Sequence, residues 1–246
     1  MKVVVYKGEG VAPFSLRQTL SSLKGALPDA DLAPIDAEAL AEGSWAAGTT
    51  LLAFPGGRDL PYHNTLQGKA NRQIRCFVEE GGLYLGLCAG AYYASSRVVF
   101  ERGRPLEVIG DRELAFFPGE THGPLFEKSF TYTSEGSAES ARIAFGMGEL
   151  HCYYNGGCTF PEAERHPNTE ILARYADLPG GPAAIIRCQV GKGRALLSGV
   201  HLEHAYSARK RRPLPPTLFP HFEASEERRR ALFNRLIQEL VSPPLL

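Results

Sequence analysis

The stretch LYLGLCAGAYY, residues 83–93, carries the strongest structural signal in the chain. Its first five residues are of buried-strand type, and they run directly into Cys88, which small residues flank before a helical run begins. A G-x-C-x-G pattern between a strand and a helix is typical of a nucleophile elbow, the sharp turn that exposes a nucleophile above a sheet. The N-terminus of the following helix would favour the thiolate form of this cysteine. The competing interpretation is a buried structural cysteine, and the agreement between motif and context favours the elbow.

The segments before this elbow alternate between strands and helices. Buried-type strand runs are predicted at residues 3–6, 31–35 and 49–54, and a helix with Ser15 as its N-cap follows the first of them. A second helix is predicted at residues 68–80. Because apolar strands alternate with helices, the sequence predicts a parallel sheet that helices cover on both faces.

The part of the chain after the elbow changes character. A helical run at residues 89–96 gives way to short strand-like runs separated by Gly, Pro and Ser. Residues 183–190 and 195–200 flank a Gly-rich turn and predict an antiparallel hairpin. A closing helix is predicted from Ser225, as its cap, to residue 240.

Composition limits the classes of protein that the chain can represent. Of its 246 residues, 43% are hydrophobic and 22% are charged, which is ordinary for a globular protein with its own core. Lys and Arg number 27, as do Asp and Glu, and this zero net charge argues against nucleic-acid or anionic-membrane partners. No apolar run is long enough for a membrane span or a signal peptide, and five cysteines form no regular disulfide framework. We therefore expect a cytoplasmic protein.

A thiol nucleophile needs a base and a group that orients the base. The run His201-Leu202-Glu203-His204 follows a predicted strand late in the chain. In an extended segment, residues two apart face the same side, so His201 and Glu203 can engage each other and leave one imidazole nitrogen for Cys88. The sequence thus predicts a Cys88–His201–Glu203 catalytic triad, with His204 as the rival base.

An acyl intermediate also needs hydrogen-bond donors for its oxyanion. FPGGRD at residues 54–59 follows a strand, and its glycines, Gly56 and Gly57, allow a ligand to approach the backbone closely. We predict that the N–H groups of Gly57 and of Ala89, the residue after the nucleophile, form this oxyanion hole. Arg58 is a candidate for binding a substrate carboxylate, with a solvated arginine as the alternative.

Several of these motifs, taken together, resemble known families. FPGG at 54–57, GLCAG at 86–90 and HLE at 201–203 resemble the class I glutamine amidotransferase-like superfamily. Three stretches resemble the amidotransferase-like N-terminal domain of eukaryotic-type biotin-protein ligases: residues 88–95, 110–119 and 153–157. The resemblance covers residues 1–206 and implies a flavodoxin-like α/β fold, with a mostly parallel central sheet, helices on both faces and an antiparallel C-terminal portion. Residues 207–246 are expected to form a Pro/Arg-rich linker and a C-terminal helix that packs on the same domain.

The resemblance also implies the chemistry and the surroundings of the site. An amidotransferase-like or amidohydrolase-like protein would use the triad for acyl transfer from an amide through a thioester, which is then hydrolysed or passed to another nucleophile. Tyr92, Tyr154 and Asn155 would line the pocket, with local packing as the alternative. The expected partners are a small-molecule amide or carboxylate ligand and a separate biotin-related or synthase-type protein. No cofactor is expected.

The chain departs from the superfamily in ways that narrow its function. Gly90-Ala91-Tyr92 stands where glutaminases carry a Gly-His-Gln-like run, which argues against glutamine as the substrate. No ligase catalytic domain is recognisable, so we do not expect this chain to ligate biotin itself. The alternative function is a non-catalytic ligand-binding or regulatory module, linked to biotin metabolism, that retains the triad residues. A third interpretation is redox chemistry at Cys88, which needs no oxyanion hole.

Several weaker sequence patterns are interpreted as structural or solvated rather than functional. The residues His151, Cys152, Cys158 and His166 lack the spacings of common zinc sites, so no metal is expected. The basic run at residues 209–212 lies beside prolines and is interpreted as part of a solvated linker. Four cysteines lack the context of an elbow and are interpreted as structural: Cys76, Cys152, Cys158 and Cys188.

Overall fold

The computed structural model describes residues 1–126, 130–132, 134–146, 148–209 and 215–242. Within these residues the chain forms the following strands: β1 (Lys2–Tyr6), β2 (Asp31–Ile35), β3 (Thr49–Phe54), β4 (Leu83–Leu87), β5 (Ser95–Phe100), β6 (Val108–Asp111), β7 (Phe117–Gly123), β8 (Glu139–Phe145), β9 (Gly148–Tyr154), β10 (Thr169–Tyr175), β11 (Ala183–Val190) and β12 (Gly193–Ser198). The α-helices are α1 (Pro13–Ala26), α2 (Ala37–Glu42), α3 (Asp59–Leu66), α4 (Lys69–Glu79), α5 (Ala89–Tyr93), α6 (Tyr206–Arg209) and α7 (Phe219–Val241).

Nine strands form a central sheet in the order β2-β1-β3-β4-β12-β11-β10-β8-β9. The pairings among the first five strands in this order, from β2 to β12, are parallel. The remaining pairings, from β12–β11 to β8–β9, are antiparallel. A separate three-stranded sheet has the order β6-β5-β7. This arrangement confirms the predicted α/β fold class, with its parallel central strands and its antiparallel C-terminal portion.

Helices cover both faces of the central sheet, as predicted. In β1, Val3 and Val5 point into a core that contains apolar side chains of α1 and α7. The alternate residues, Val4 and Tyr6, point into a second core with side chains of α3 and α4. Because successive residues of a strand face opposite sides, a strand buried on both sides must be apolar throughout. Each buried aliphatic side chain stabilises the fold by about 1.5–3 kcal/mol.

Two predicted helix starts are wrong, and proline explains both. The α1 helix begins at Pro13 with Ala12 at its N-cap, so Ser15 lies inside the helix, where it is buried. The α7 helix begins at Phe219 and Ser225 is an interior residue, whose hydroxyl accepts the His151 N–H at 3.0 Å. In both helices a proline occupies the first turn, where its fixed φ and missing N–H cost nothing.

The predicted helix over residues 89–96 is too long. The α5 helix ends at Tyr93, and β5 begins at Ser95. The Ser95 hydroxyl donates to the carbonyl of Tyr92 at 2.7 Å, a local bond that competes with helix continuation. Within the described residues, no helix combines the length and the apolar character needed to cross a bilayer.

The order of strands in the sheet positions the functional motifs. The strands β3, β4 and β12 are direct neighbours and run in the same direction. Each of them leads into one of the predicted motifs, at residues 55–57, 88–90 and 201–203. Since the carboxyl ends of parallel strands lie at one edge of a sheet, the three motifs meet there.

Candidate active site

Cys88 occupies a strained backbone position between β4 and α5. Its φ is 51° and its ψ is −102°, a conformation that costs a non-glycine residue about 1–3 kcal/mol. Gly86 and Gly90 permit the turn, because a Cβ on Gly86 would lie 2.5 Å from the Gly90 carbonyl oxygen. The Cys88 N–H donates to the Ser198 carbonyl at 2.8 Å, which fixes the turn to the end of β12. This is the geometry of a nucleophile elbow.

His201 and Glu203 form a buried pair beside this cysteine. Nδ1 of His201 donates to Oε1 of Glu203 at 2.8 Å, and the imidazole is close enough to Cys88 for the sulfur to influence its pKa. The His201 N–H donates to the Tyr153 carbonyl at 3.0 Å, which ties the segment to β9. The segment does not continue as the extended run that the sequence predicts, because the His204 N–H bonds back to the His201 carbonyl at 3.4 Å. A turn therefore brings the side chains of His201, Glu203 and His204 together.

Electrostatics at the site favour a protonated His201. Burial alone would lower the pKa of its imidazole, but the Glu203 carboxylate and the Cys88 thiolate raise that pKa to about 10. In a buried site the attraction between opposite charges is screened little by water, so it outweighs the cost of desolvation. At neutral pH an imidazolium lies between a carboxylate and a sulfur, which is the charge arrangement of an activated cysteine.

Gly57 and Ala89, whose N–H groups are the predicted oxyanion donors, both line the cleft that contains Cys88. Gly57 forms an isolated bridge with Val11 in which its chain neighbours make the hydrogen bonds, so its own N–H has no acceptor within the described residues. Ala89 is the first residue of α5, and an N–H at that position has no acceptor inside a helix. Neither N–H group has an acceptor within the described residues, and the oxyanion hole stays a prediction.

The cleft above Cys88 is small and largely aromatic. Its space is about 20 Å³, room for about one water molecule. The predicted residues that line it are Gly57, Arg58, Ala89, Tyr92 and Asn155. Gly156, which follows Asn155, also lines the cleft. Further lining residues, which the sequence analysis missed, are Asp59, Phe100, Phe130 and Tyr132. The rings of Phe130 and Tyr132 both contact Phe100. Their spacing of two residues was a possible signal, because side chains two apart in an extended segment point to the same side.

The remaining predicted pocket residues differ in their positions. Arg58 is exposed, and its guanidinium lies 5.7 Å from the centroid of the Tyr132 ring. The hydroxyl of Tyr92 donates to the Gly157 carbonyl at 2.9 Å, which orients the ring at the cleft. Tyr154 does not line the cleft; it is buried beneath it and donates to the same carbonyl at 2.8 Å.

Gly56 packs directly against the His201 imidazole. A Cβ at this position would lie 2.5 Å from His201 Cε1 and 3.1 Å from Ser15 Oγ. The Gly56→Ala variant should therefore displace the ring and lower the rate of Cys88 alkylation at pH 7 by about tenfold. The matched control is Gly25→Ala, where an added Cβ meets nothing within 4 Å, and its rate should equal that of the wild type. Equal rates in the two variants would show that the ring tolerates the added methyl group.

One group of side chains within the described residues is compact enough for a metal: His201, Glu203 and His204, with ligand atoms within 4.8 Å of one another. Oε1 of Glu203 lies 2.8 Å from Nδ1 of His201 and 3.3 Å from Nε2 of His204. The first contact is a hydrogen bond and the second is an ion-pair distance. No such group in the described part of the chain includes Cys152, Cys158 or His166.

The other cysteines lack the environment of a nucleophile. Burial raises the pKa of the Cys152 and Cys158 thiols well above their usual range. Burial likewise raises the pKa of Cys188 to about 12. These thiols stay protonated at neutral pH, whereas Cys76 is exposed on α4. Its exposure makes Cys76 a useful reference for reactivity.

The structure corrects the interpretation of Arg209 as part of a solvated linker. Arg209 ends α6 and is only 4% exposed. Its guanidinium donates to Glu135 at 2.9 Å and to Nδ1 of His204 at 2.6 Å. The ring of Tyr153 lies 3.5 Å from its Cζ atom. These contacts are long-range, so no local pattern reveals them. Residues 210–212 of the basic run lie outside the described residues.

Solved structures define the class of fold. The structure is similar to that of a GMP synthase component from Thermoplasma acidophilum, with a TM-score of 0.51 at 11% identity. The match covers 97% of this chain and 96% of that one. A ThuA-like protein from Bacteroides uniformis matches with a TM-score of 0.53 at 8% identity, over 96% of this chain and 89% of that one. The chain therefore shares the overall α/β fold of these two proteins.

The chain belongs to the biotin-protein ligase N-terminal family, whose model matches residues 1–241. It is 39% identical over 208 residues to an uncharacterized protein of Chlamydia muridarum, covering 82% of this chain and 80% of that protein. It is 41% identical over 211 residues to a biotin–protein ligase of Schizosaccharomyces pombe, covering 82% of this chain and 33% of the ligase. The chain thus spans about a third of that ligase. The family resemblance predicted from the motifs is confirmed.

Proposed function

We propose that this protein is a cysteine-dependent amidase or amidotransferase-like hydrolase that transfers an acyl group from an amide. The observation that carries the proposal is the strained Cys88 beside an imidazolium that the buried Glu203 stabilises. The amidotransferase-like fold and the family membership support it.

The first half of the reaction forms a thioester. The Cys88 thiolate attacks the amide carbonyl carbon, and the N–H groups of Gly57 and Ala89 stabilise the oxyanion. His201, already protonated, donates its proton to the leaving nitrogen as the C–N bond breaks. Ammonia or an amine leaves, and the acyl group remains on the sulfur.

The second half releases the acyl group. His201, now neutral, accepts a proton from a water molecule or another nucleophile as it attacks the thioester carbonyl. The C–S bond then breaks, and the thiolate and the imidazolium are restored. Glu203 keeps its charge throughout and stabilises the imidazolium in both halves.

The lining of the cleft indicates the substrate class. Arg58 places a cation at the cleft, suited to a substrate carboxylate. Phe100, Phe130 and Tyr132 supply an apolar wall for the body of the substrate. The lining accordingly suits an amide with an apolar body and a carboxylate, which requires the cleft to widen beyond its present space of about 20 Å³. Tyr92, in place of the Gln-like residue, disfavours glutamine.

Family membership supports a proposal for the partner protein of this activity. A biotin–protein ligase relative contains a matching segment, so a biotin-related partner protein is the favoured association. A reducing cytoplasm would keep the thiolate of Cys88 free for attack.

Ammonia release from a panel of primary amides, with and without a carboxylate, tests the function. Hydroxylamine in the same assay should capture the acyl group as a hydroxamate. We expect release by the wild type and by Cys76→Ala, and none by Cys88→Ala. Equal release by Cys88→Ala would overturn the proposal. Ligands that bind the wild type and Cys88→Ala equally, without turnover, would favour the regulatory module instead.

A further inference from the structure

Arg209 is enclosed between two aromatic rings behind the His201–Glu203 pair. Its Cζ atom lies 3.5 Å from the centroid of the Tyr153 ring and 4.3 Å from that of Phe14. Glu135 accepts two hydrogen bonds from Nη1, at 2.9 and 3.1 Å. The hydroxyl of Tyr153 donates to the same carboxylate. The guanidinium is therefore held in one orientation, with Nη2 directed at His204.

This contact determines which nitrogen of His204 carries a proton. Nη2 of Arg209 lies 2.6 Å from Nδ1 of His204, and a guanidinium can only donate hydrogen bonds. Nδ1 must therefore accept, so it carries no proton. A neutral imidazole then has its proton on Nε2, which lies 3.3 Å from Oε1 of Glu203 and 3.3 Å from Oγ of Ser15. Nε2 hydrogen-bonds to Oγ of Ser15, and the negative charge of the nearby Glu203 carboxylate attracts the edge of the ring that carries the proton.

A neutral His204 also suits the ring beside it. The imidazoles of His201 and His204 are stacked with centroids 4.1 Å apart and planes within 7°. Two cationic rings at this distance would repel each other in a buried site. Because His201 is the protonated ring, the second ring must remain neutral for the stack to persist.

We propose that Arg209 holds His204 as its neutral Nε2–H tautomer, and that His204 in turn positions Glu203 against His201. His204 is thus a positioning residue rather than a rival base. This inference rests on the proposed function of the Cys88 site, and it adds His204 and Arg209 as residues that position the His201–Glu203 pair.

Among the described residues around His204, two ion pairs are present: Arg209 with Glu135, and on α7 Arg229 with Glu226 at 3.0 Å. The α1 helix contributes the uncharged Phe14 and Ser15, with Arg17 on the ring of Phe14 at 5.9 Å. The same small cavity is also lined by His151, Tyr153 and Tyr206. Glu203 is therefore the nearest carboxylate that has no arginine partner within the described residues.

The direct test is a ¹⁵N NMR spectrum of histidine-labelled protein, in which His204→Gln identifies the His204 signals. We expect a neutral ring with its proton on Nε2 across pH 6–9. In the double variant Arg209→Met/Glu135→Gln, which keeps the buried charges balanced, the Nδ1–H tautomer should become populated. A wild-type His204 that is doubly protonated, or protonated on Nδ1, would overturn the proposal.

A pair of substitutions separates positioning from packing. Gln places its amide N–H near the position of Nε2, whereas Asn is too short and replaces only the Nδ1 acceptor. His204→Asn should lower Cys88 alkylation at pH 6.5 by about tenfold, and His204→Gln should stay within about twofold of the wild type. Thermal unfolding of both variants checks the fold. Equal losses in the two variants would count against positioning.

The inference and the proposed function fail separately. If wild-type Cys88 shows no enhanced reactivity while His204 holds the Nε2–H tautomer, the function is contradicted and the arginine-held tautomer is supported. If Cys88 is reactive and His204 titrates freely, the function is supported and the inference is overturned.

Discussion

Replacing Glu203 with Gln is expected to lower the rate of amide hydrolysis by about 10⁴-fold while the fold is retained. Oε1 of Glu203 accepts the hydrogen bond of His201 Nδ1 at 2.8 Å, in a position with no solvent exposure. In the Gln variant the burial that lowers the pKa of His201 remains, and the carboxylate that raises it is gone. The imidazole then loses its proton at a lower pH, and the leaving nitrogen loses its proton donor.

The pH at which His201 loses its proton should change in a definite direction in this variant. In the wild type His201 keeps its proton as the pH rises from 6.5 and releases it near the pKa of about 10. In Glu203→Gln the release should move to lower pH, which NMR of the His201 ring measures directly. The control is Glu149→Gln, whose carboxylate forms an exposed pair with Arg142 at 3.0 Å. A Glu203→Gln rate within tenfold of the wild type would contradict the triad.

Iodoacetamide should alkylate Cys88 at pH 6.5 about tenfold faster than it alkylates the exposed Cys76. An ordinary thiol is only about 1% ionised at that pH, whereas a neighbouring imidazolium favours the thiolate form of a cysteine. The weaker nucleophilicity of a stabilised thiolate offsets part of this gain, so we expect an advantage of roughly tenfold. Mass spectrometry of the modified peptides gives both rates from one sample.

The histidine variants show whether the pair causes this reactivity. His201→Ala should abolish the advantage of Cys88 at pH 6.5, and His122→Ala, a surface variant outside the site, should preserve it. The thiols of Cys152, Cys158 and Cys188 should remain unmodified, because burial keeps them protonated. A Cys88 that reacts no faster than Cys76 would leave the ligand-binding module as the better description.

The elbow and its sheet were predictable because their signals are local. A strand, a cysteine between small residues and a helix stand next to one another in residues 83–93. The parallel arrangement then follows from alternating elements, and it brings the ends of neighbouring strands together. His201 and Glu203 could be paired for the same reason, although a turn rather than an extended run presents them.

The features that the sequence could not predict depend on contacts between residues far apart in the chain. Arg209 lies among prolines and basic residues, and its burial depends on Phe14, Glu135 and Tyr153 from distant parts of the chain. The aromatic wall of the cleft likewise comes from residues far from Cys88 in sequence. A local pattern describes the surroundings of a residue only as far as its own helix or strand.

The position of β12 between β4 and β11 means that the pairing of Cys88 with His201 is completed late in synthesis. The Cys88 turn is tied to the Ser198 carbonyl, and His201 follows directly after that strand, about a hundred residues downstream of the cysteine. A nascent chain that has emerged only as far as β11 holds a cysteine without its imidazole. Such a chain can dock its first strands, but it acquires a reactive sulfur only when β12 is inserted. Chains released early are therefore chemically silent at this site.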